Sequence, residues 1–194
     1  NAIDYKNGAQ ILLNPYLESD LTTAIGNNYG IELYVRKNSG KLTGWASYTY
    51  SRSFHKTTGL FEEEKINNNH EFPTNYDRPN NLILNATYHI SKRWRMGGSF
   101  TYNTGRPVTL PELKYNYQDF QLIHYSDRNK YRLPDYHRLD LSITLDESLR
   151  IKKKWKGSWT FSIINVYGRK NAYSVFYKKE DLLVSNEYKK YNTY

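Results

Sequence analysis

Five histidines, one acidic run and one segment rich in tyrosine and arginine are the parts of this sequence whose side chains could do chemistry. His55, His70, His89, His124 and His137 are scattered, and no two have the spacing of a catalytic pair or of metal ligands on one helix face. Phe61-Glu62-Glu63-Glu64-Lys65, followed by Asn67, Asn68, Asn69 and His70, gathers oxygen ligands beside an imidazole. A calcium or transition-metal site would need a fixed ligand spacing that this run lacks, so a solvated loop is preferred. Arg138 and Asp140 are two residues apart, hence on one face of any strand, where they can pair as ions. The sequence has no nucleophile elbow, phosphate-binding loop, dinucleotide fingerprint or metal-hydrolase motif, so no catalytic residue, metal or cofactor is expected and the chain is not read as an enzyme. The strongest ligand-facing candidate is the segment 106–134. Its Arg106, Tyr115, Tyr117, Tyr125, Arg128, Tyr131 and Arg132 can stack on rings and hold anions. The competing account, given equal weight, is that this segment packs on its neighbours.

The elements that must position these residues are strands. Apolar and polar residues alternate with period two over most of the 194 residues, and helical periodicity is nearly absent. A stub over 1–6 is followed by strands at about 20–37, 41–55, 78–91, 93–105, 135–149, 154–167 and 172–183. One face carries Ile31, Leu33 and Val35; then Leu42, Gly44, Ala46, Tyr48 and Tyr50; then Leu82, Leu84, Ala86, Tyr88 and Ile90. It continues through Trp94, Met96, Phe100 and Tyr102 to Leu139, Leu141, Ile143 and Leu145, and ends with Trp155, Trp159, Phe161 and Ile163. The opposite face carries Glu32, Tyr34 and Arg36 and then mainly Ser, Thr, Asn, Arg and Asp, with Trp45 breaking the polar face of the second strand.

Such alternation fits either a soluble sandwich or a sheet with one face toward lipid. Length separates the two, because the expected strands are about two to three times the usual 5–6 residues of soluble proteins. Connections alternate as well. Those at 7–19, 56–77 and 106–134 are long, whereas 38–40, 91–92 and 150–153 are short, with 168–171 breaking the pattern. Short turns at one rim and long loops at the other are the habit of outer-membrane barrels. Mean hydropathy is −0.84 and no long apolar run occurs, which excludes a transmembrane helix and leaves barrel strands open. Many tyrosines, 20 in all, suit a lipid–water boundary. The net charge of +9 is drawn in good part from the short turns, without a stacking platform, so nucleic acid is not expected as a partner. No cysteine is present, which removes disulfide and thiol chemistry.

Several runs resemble the late barrel strands of TonB-dependent outer-membrane receptors. They are Asn28-Tyr29-Gly30-Ile31-Glu32-Leu33-Tyr34-Val35-Arg36-Lys37 with Gly44-Trp45-Ala46-Ser47-Tyr48-Thr49-Tyr50-Ser51-Arg52-Ser53, and Phe72-Pro73 with Tyr76-Asp77-Arg78-Pro79-Asn80-Asn81-Leu82. Further on come Thr104-Gly105-Arg106-Pro107-Val108-Thr109-Leu110-Pro111, Tyr131-Arg132-Leu133-Pro134-Asp135-Tyr136-His137-Arg138-Leu139-Asp140-Leu141-Ser142, and Asn165-Val166-Tyr167 with Arg169-Lys170-Asn171-Ala172-Tyr173-Ser174. Together they span about 28–177 in the family's order, and the chain is most similar to receptors with an extra N-terminal regulatory domain. The resemblance implies an all-β, antiparallel transmembrane β-barrel fragment of about seven strands plus a stub, out of a 22-stranded barrel. It implies active import of a scarce solute (a siderophore, cobalamin, glycan or peptide) across the outer membrane of a Gram-negative cell. Implied partners are TonB through an N-terminal segment, the receptor's own plug domain, the lipid bilayer and lipopolysaccharide, and the imported solute; a surface lipoprotein is left open. Glu32, Arg36, Arg95, Arg138 and Asp140 would then face the lumen and plug. Residues 1–194 are expected to be one partial barrel domain, with plug and closing strand outside it, because Asn1 is not a start and Tyr188, Tyr191 and Tyr194 lie in polar sequence read as loop. A plug-less passive pore or structural barrel, and a soluble sandwich that binds ligands, stay as alternatives.

Overall fold

The computed structural model describes residues 2–6, 17–117, 120–147, 157–179 and 188–193. Over most of the described residues, period-two sequence becomes antiparallel strand. The main sheet is built from β1 (Ala2–Tyr5), β2 (Leu21–Lys37), β3 (Leu42–Thr57), β5 (Asn80–His89), β6 (Trp94–Asn103), β11 (Tyr136–Asp146) and β12 (Ser158–Ile163). They lie side by side in that order, and the two-residue β4 (Phe72–Pro73) adds to the end of β3. Within the described residues the sheet stays open, with β1 and β12 as its edges.

Register turns the sequence alternation into two continuous faces. One row runs Val35, Ala46, Leu84, Phe100, Leu139 across five strands; the next runs Gly44, Ala86, Gly98, Leu141, Ile163; a third runs Leu42, Tyr88, Met96, Ile143, Phe161. The other face carries Tyr34, Ser47, Ile83, Thr101, Arg138 and then Arg36, Trp45, Asn85, Ser99, Asp140. A one-residue slip of any strand would interleave the two sets, so the pattern itself selects this register. On the polar face Trp45 stands beside Tyr34, with ring centroids 6.0 Å apart.

Neither face buries a core. The buried apolar side chains among the described residues are Ala24, Ile66, Phe72 and Leu133, all at the end of the sheet where the long connections gather. Ile31, Val35, Trp159, Phe161 and Ile163 are each about two-thirds exposed. A sheet needs something packed on its apolar face to be stable, and this chain supplies nothing there among the described residues.

The connections are tight at one end. Residues 38–41 turn through Gly40 at φ +96°, and Ser91 Oγ accepts from the backbone N–H groups of Arg93 and Trp94 to close 90–93. The short connection expected at 150–153, with Trp155, lies outside the described residues. At the opposite end, 58–79 and 104–135 are long, as expected. The second is not a plain loop. It holds β7 (Pro107–Val108) paired with β10 (Tyr131–Arg132), and a projecting hairpin of β8 (Pro111–Tyr117) and β9 (Phe120–Tyr125).

The C-terminal third departs from expectation. β12 stops at Ile163, before the expected residue 167, because Asn165 (φ +56°) and Gly168 (φ +61°) turn the chain off the sheet. The Asn165 side chain braces that turn on the Arg169 backbone. Asn171 then bonds both the N–H and the C=O of His137, at 3.1 and 3.0 Å, so a side chain continues the ladder where β12 has ended. The strand expected at 172–183 is β13 (Ser174–Lys179), and it does not extend the main sheet. It pairs with β14 (Tyr188–Thr193), a segment read from sequence as polar loop.

Candidate functional site

The long-connection end is where side chains from distant segments meet. Its anchor is Asp77, whose carboxylate is fully buried between β3 and the 104–135 excursion. It accepts from the Ser53 N–H at 2.8 Å and from Arg52 Nε at 3.1 Å, and it pairs with Arg132. Burial alone would raise its pKa; the Ser53 N–H and the two guanidiniums outweigh that and hold it below the usual carboxylate range. Arg132 also donates to the carbonyls of Asp77 (2.7 Å) and Gly105 (3.0 Å). Gly105 is required at this crossing, since a Cβ there would stand 1.8 Å from the Leu133 carbonyl oxygen. Asp135 accepts from Tyr102 Oη (2.6 Å) and from the Gly105 N–H (2.9 Å), and these bonds overcome the effect of burial and lower its pKa.

The two long connections are locked to each other by asparagines. Asn67 accepts from the Arg128 N–H at 2.7 Å and donates back to the Arg128 carbonyl at 3.2 Å. Asn129 donates to the Pro73 carbonyl at 2.7 Å. Asn67, Asn68 and Asn69 all take positive φ, which Asn tolerates better than other non-glycine residues. Asn69 accepts from Thr57 Oγ1 at 2.7 Å. The asparagine run that invited a metal reading thus serves as loop architecture, and no three His, Asp or Glu side chains converge on a point among the described residues.

The seven ligand candidates divide into two groups. Arg132 is tied to Asp77. Arg128 donates to Asp4 Oδ1 (2.7 Å) and the Lys6 carbonyl (3.1 Å), pinning the excursion to β1, where His55 Nδ1 also meets Asp4 at 3.0 Å. Tyr131 donates to Glu112 Oε1 at 2.8 Å, where Lys130 also lies at 3.0 Å; with the tyrosine first and the lysine second, these contacts lower the pKa of Glu112. The others look outward. Tyr115 and Tyr117 are exposed on the β8–β9 hairpin, and Arg106 and Tyr125 line a cavity of about 700 Å³. A second cavity of about 520 Å³ shares Arg106 and Arg78 with the first. Arg78 and Tyr76 were not among the ligand candidates read from sequence, because they share a cavity with Arg106 only through contacts about 30 residues apart.

Glu32, Arg36, Arg95, Arg138 and Asp140 all fall on the polar face. Arg138 pairs with Asp140 at 2.9 Å, and Arg95 with Asp146 at 3.1 Å. Arg93, one of the basic residues of the short turns, crosses to β11 and donates to the carbonyls of Asp146 (2.9 Å) and Glu147 (2.8 Å). No protein-family model, curated protein or solved structure matches this chain.

Proposed function

We propose that this chain is a segment of a transmembrane β-barrel of the Gram-negative outer membrane, and that the parent barrel is a TonB-dependent receptor importing a scarce solute. The observation that carries the reading is the apolar face, continuous across six strands, exposed, and backed by a polar face on the same strands. Its height fits a bilayer. From Trp94 to Tyr102 along β6 is about 27 Å at about 3.4 Å per residue. At a strand tilt of about 40° that is about 21 Å of depth, close to the apolar band of about 25 Å in outer-membrane barrels. Trp94 marks one margin of this band, and Tyr48 and Tyr102 mark the other. The tyrosine hydroxyls reach Asn80 (2.8 Å) and Asp135 (2.6 Å), toward the long connections, as interfacial tyrosines do. In this reading the polar face lines a lumen, with a plug and the solute as its partners, and TonB acts through the parent's N-terminal part. The sequence resemblance supports the choice of a receptor over a pore.

The chain has no cysteine, so Leu84→Cys and Asn85→Cys give clean probes of adjacent residues on opposite faces. In whole cells, or in the purified protein in vesicles, Asn85→Cys is expected to react with a water-soluble maleimide. Leu84→Cys is expected to react only with a lipid-soluble one. Equal labelling of both by the water-soluble reagent overturns the membrane reading. Uptake that stops when TonB is deleted marks a receptor; uptake that continues marks a passive pore.

A further inference from the structure

We propose that the two cavities at the long-connection end form one binding site for an oligoanionic solute, carrying several carboxylate or phosphate groups, with Arg78 and Arg106 as its shared anchors. The walls of both cavities include these two arginines, the second adds Arg138, and among the described residues neither wall contains an Asp or Glu. Among the described residues, Arg78 and Arg106 differ from the arginines around them in meeting no counter-charge. Arg52 and Arg132 face Asp77, Arg128 faces Asp4, and Arg138 faces Asp140. Arg78 has no side-chain partner among the described residues, and Arg106 has one 3.4 Å bond to a neutral acceptor, the Tyr173 carbonyl. Two exposed guanidiniums left unneutralised at one hollow make a site for paired anionic groups, which guanidinium recognises by forked hydrogen bonds.

The same walls hold Tyr76, Tyr125 and Tyr173, exposed by 87, 55 and 80%. Their open ring faces suit a planar or ring-bearing solute. A phosphate could also come from a lipid headgroup, but the position favours a free solute. Thr101, Asn103, Tyr136 and Arg138, which line the second cavity, belong to the polar face of the sheet, opposite the apolar one. The origin of the solute, outside the cell, rests on the importer reading; the binding event does not.

The test is calorimetric titration of the whole protein in detergent with benzene-1,3,5-tricarboxylate and, separately, inorganic pyrophosphate. At least one probe is expected to bind, more weakly as salt rises. Arg78→Gln with Arg106→Gln is expected to weaken it at least tenfold, with each single variant intermediate, and Lys37→Gln at the far end of the sheet to leave it unchanged. The site is overturned if neither probe binds, if the double variant binds as well as the parent, or if Lys37→Gln loses as much. Abolition of probe binding on reconstitution into phosphatidylglycerol vesicles would assign the site to a headgroup and overturn the free-solute assignment. Cysteine labelling separates the two readings. Anion binding without the two-faced labelling pattern removes the membrane and keeps this site, and the pattern without anion binding does the reverse.

Discussion

Leu141→Arg places a charge at the centre of the apolar face. Leu141 lies between Leu139 and Ile143 on β11, with Gly98 and Ile163 as its cross-strand neighbours. One row of side chains lies between it and the Trp94–Leu145 margin and one between it and the Tyr102–His137 margin, which makes it the midplane position of the proposed span. It is 39% exposed and Gly98 offers no side chain, so an arginine fits without overpacking, and its aliphatic stem covers most of the surface that leucine covered. The remaining cost is the charge itself, about 2–4 kcal/mol at a bilayer midplane. At about 1.4 kcal/mol per decade this is a loss of about 30- to 700-fold in the folding equilibrium. Ser142→Arg, one residue along and on the polar face between Gly97 and Ser162, should cost less than about 1 kcal/mol. Were the apolar face in water, Leu141→Arg would stay within about 0.5 kcal/mol, like other exposed substitutions. Urea unfolding of the two variants in lipid vesicles, followed by tryptophan fluorescence and heat-modifiable gel mobility, reads the difference. A Leu141→Arg penalty no larger than that of Ser142→Arg refutes the assignment of faces.

The remaining predictions concern the long-connection end. Asp77→Asn leaves Arg52 and Arg132 without their shared counter-charge and should destabilise the docking of 104–135 by about 3 kcal/mol, as breaking a buried pair does; faster proteolysis within that segment measures it. Because the folded pKa of Asp77 is lowered, its contribution is fully present above the unfolded value of about 3.9 and is lost as pH falls through the folded value. Pepsin cleavage should therefore rise at low pH in the parent, while Asp77→Asn should show no such acid step. Gly105→Ala forces its new methyl onto the Leu133 carbonyl and should open the β7–β10 ribbon, seen as lost amide-exchange protection at Leu133, whose N–H now bonds the Arg106 carbonyl at 3.0 Å. Replacing 111–125 by a two-residue turn keeps the Ser126 N–H to Leu110 carbonyl bond at the hairpin's base, so membrane insertion should persist. Solute uptake should fall at the same time, and unchanged uptake would clear the hairpin of a role.

The main sheet was legible because its cause is local. Alternation at Ile31, Leu33 and Val35 or at Leu139, Leu141 and Ile143 is a property of consecutive residues, and period two means strand wherever the fold puts it. The expected strands at 20–37 and 41–55 meet the observed β2 and β3 to within two residues. The excursion at 106–134 was harder, since Pro107-Val108 against Tyr131-Arg132 is too short to leave a periodic trace and is fixed by Arg132, Asp77 and Leu133. The early end of β12 has a local cause, the turn at Asn165 and Gly168, but what replaces the strand beyond it is nonlocal. Asn171 takes the place of a strand beside His137, and neither residue alone announces that exchange.

By itself, then, the sequence determined an antiparallel, two-faced, all-β chain with its elaboration at one end, because alternation and turn composition act over a few residues at a time. Only the tertiary structure decided which arginines are committed and which are open. Arg52, Arg128 and Arg132 look no different in sequence from Arg78 and Arg106. The difference is the carboxylate each one meets, Asp77 or Asp4, from segments 25 to 124 residues away. Charge pairing is set by distance in space, which a linear spacing does not carry.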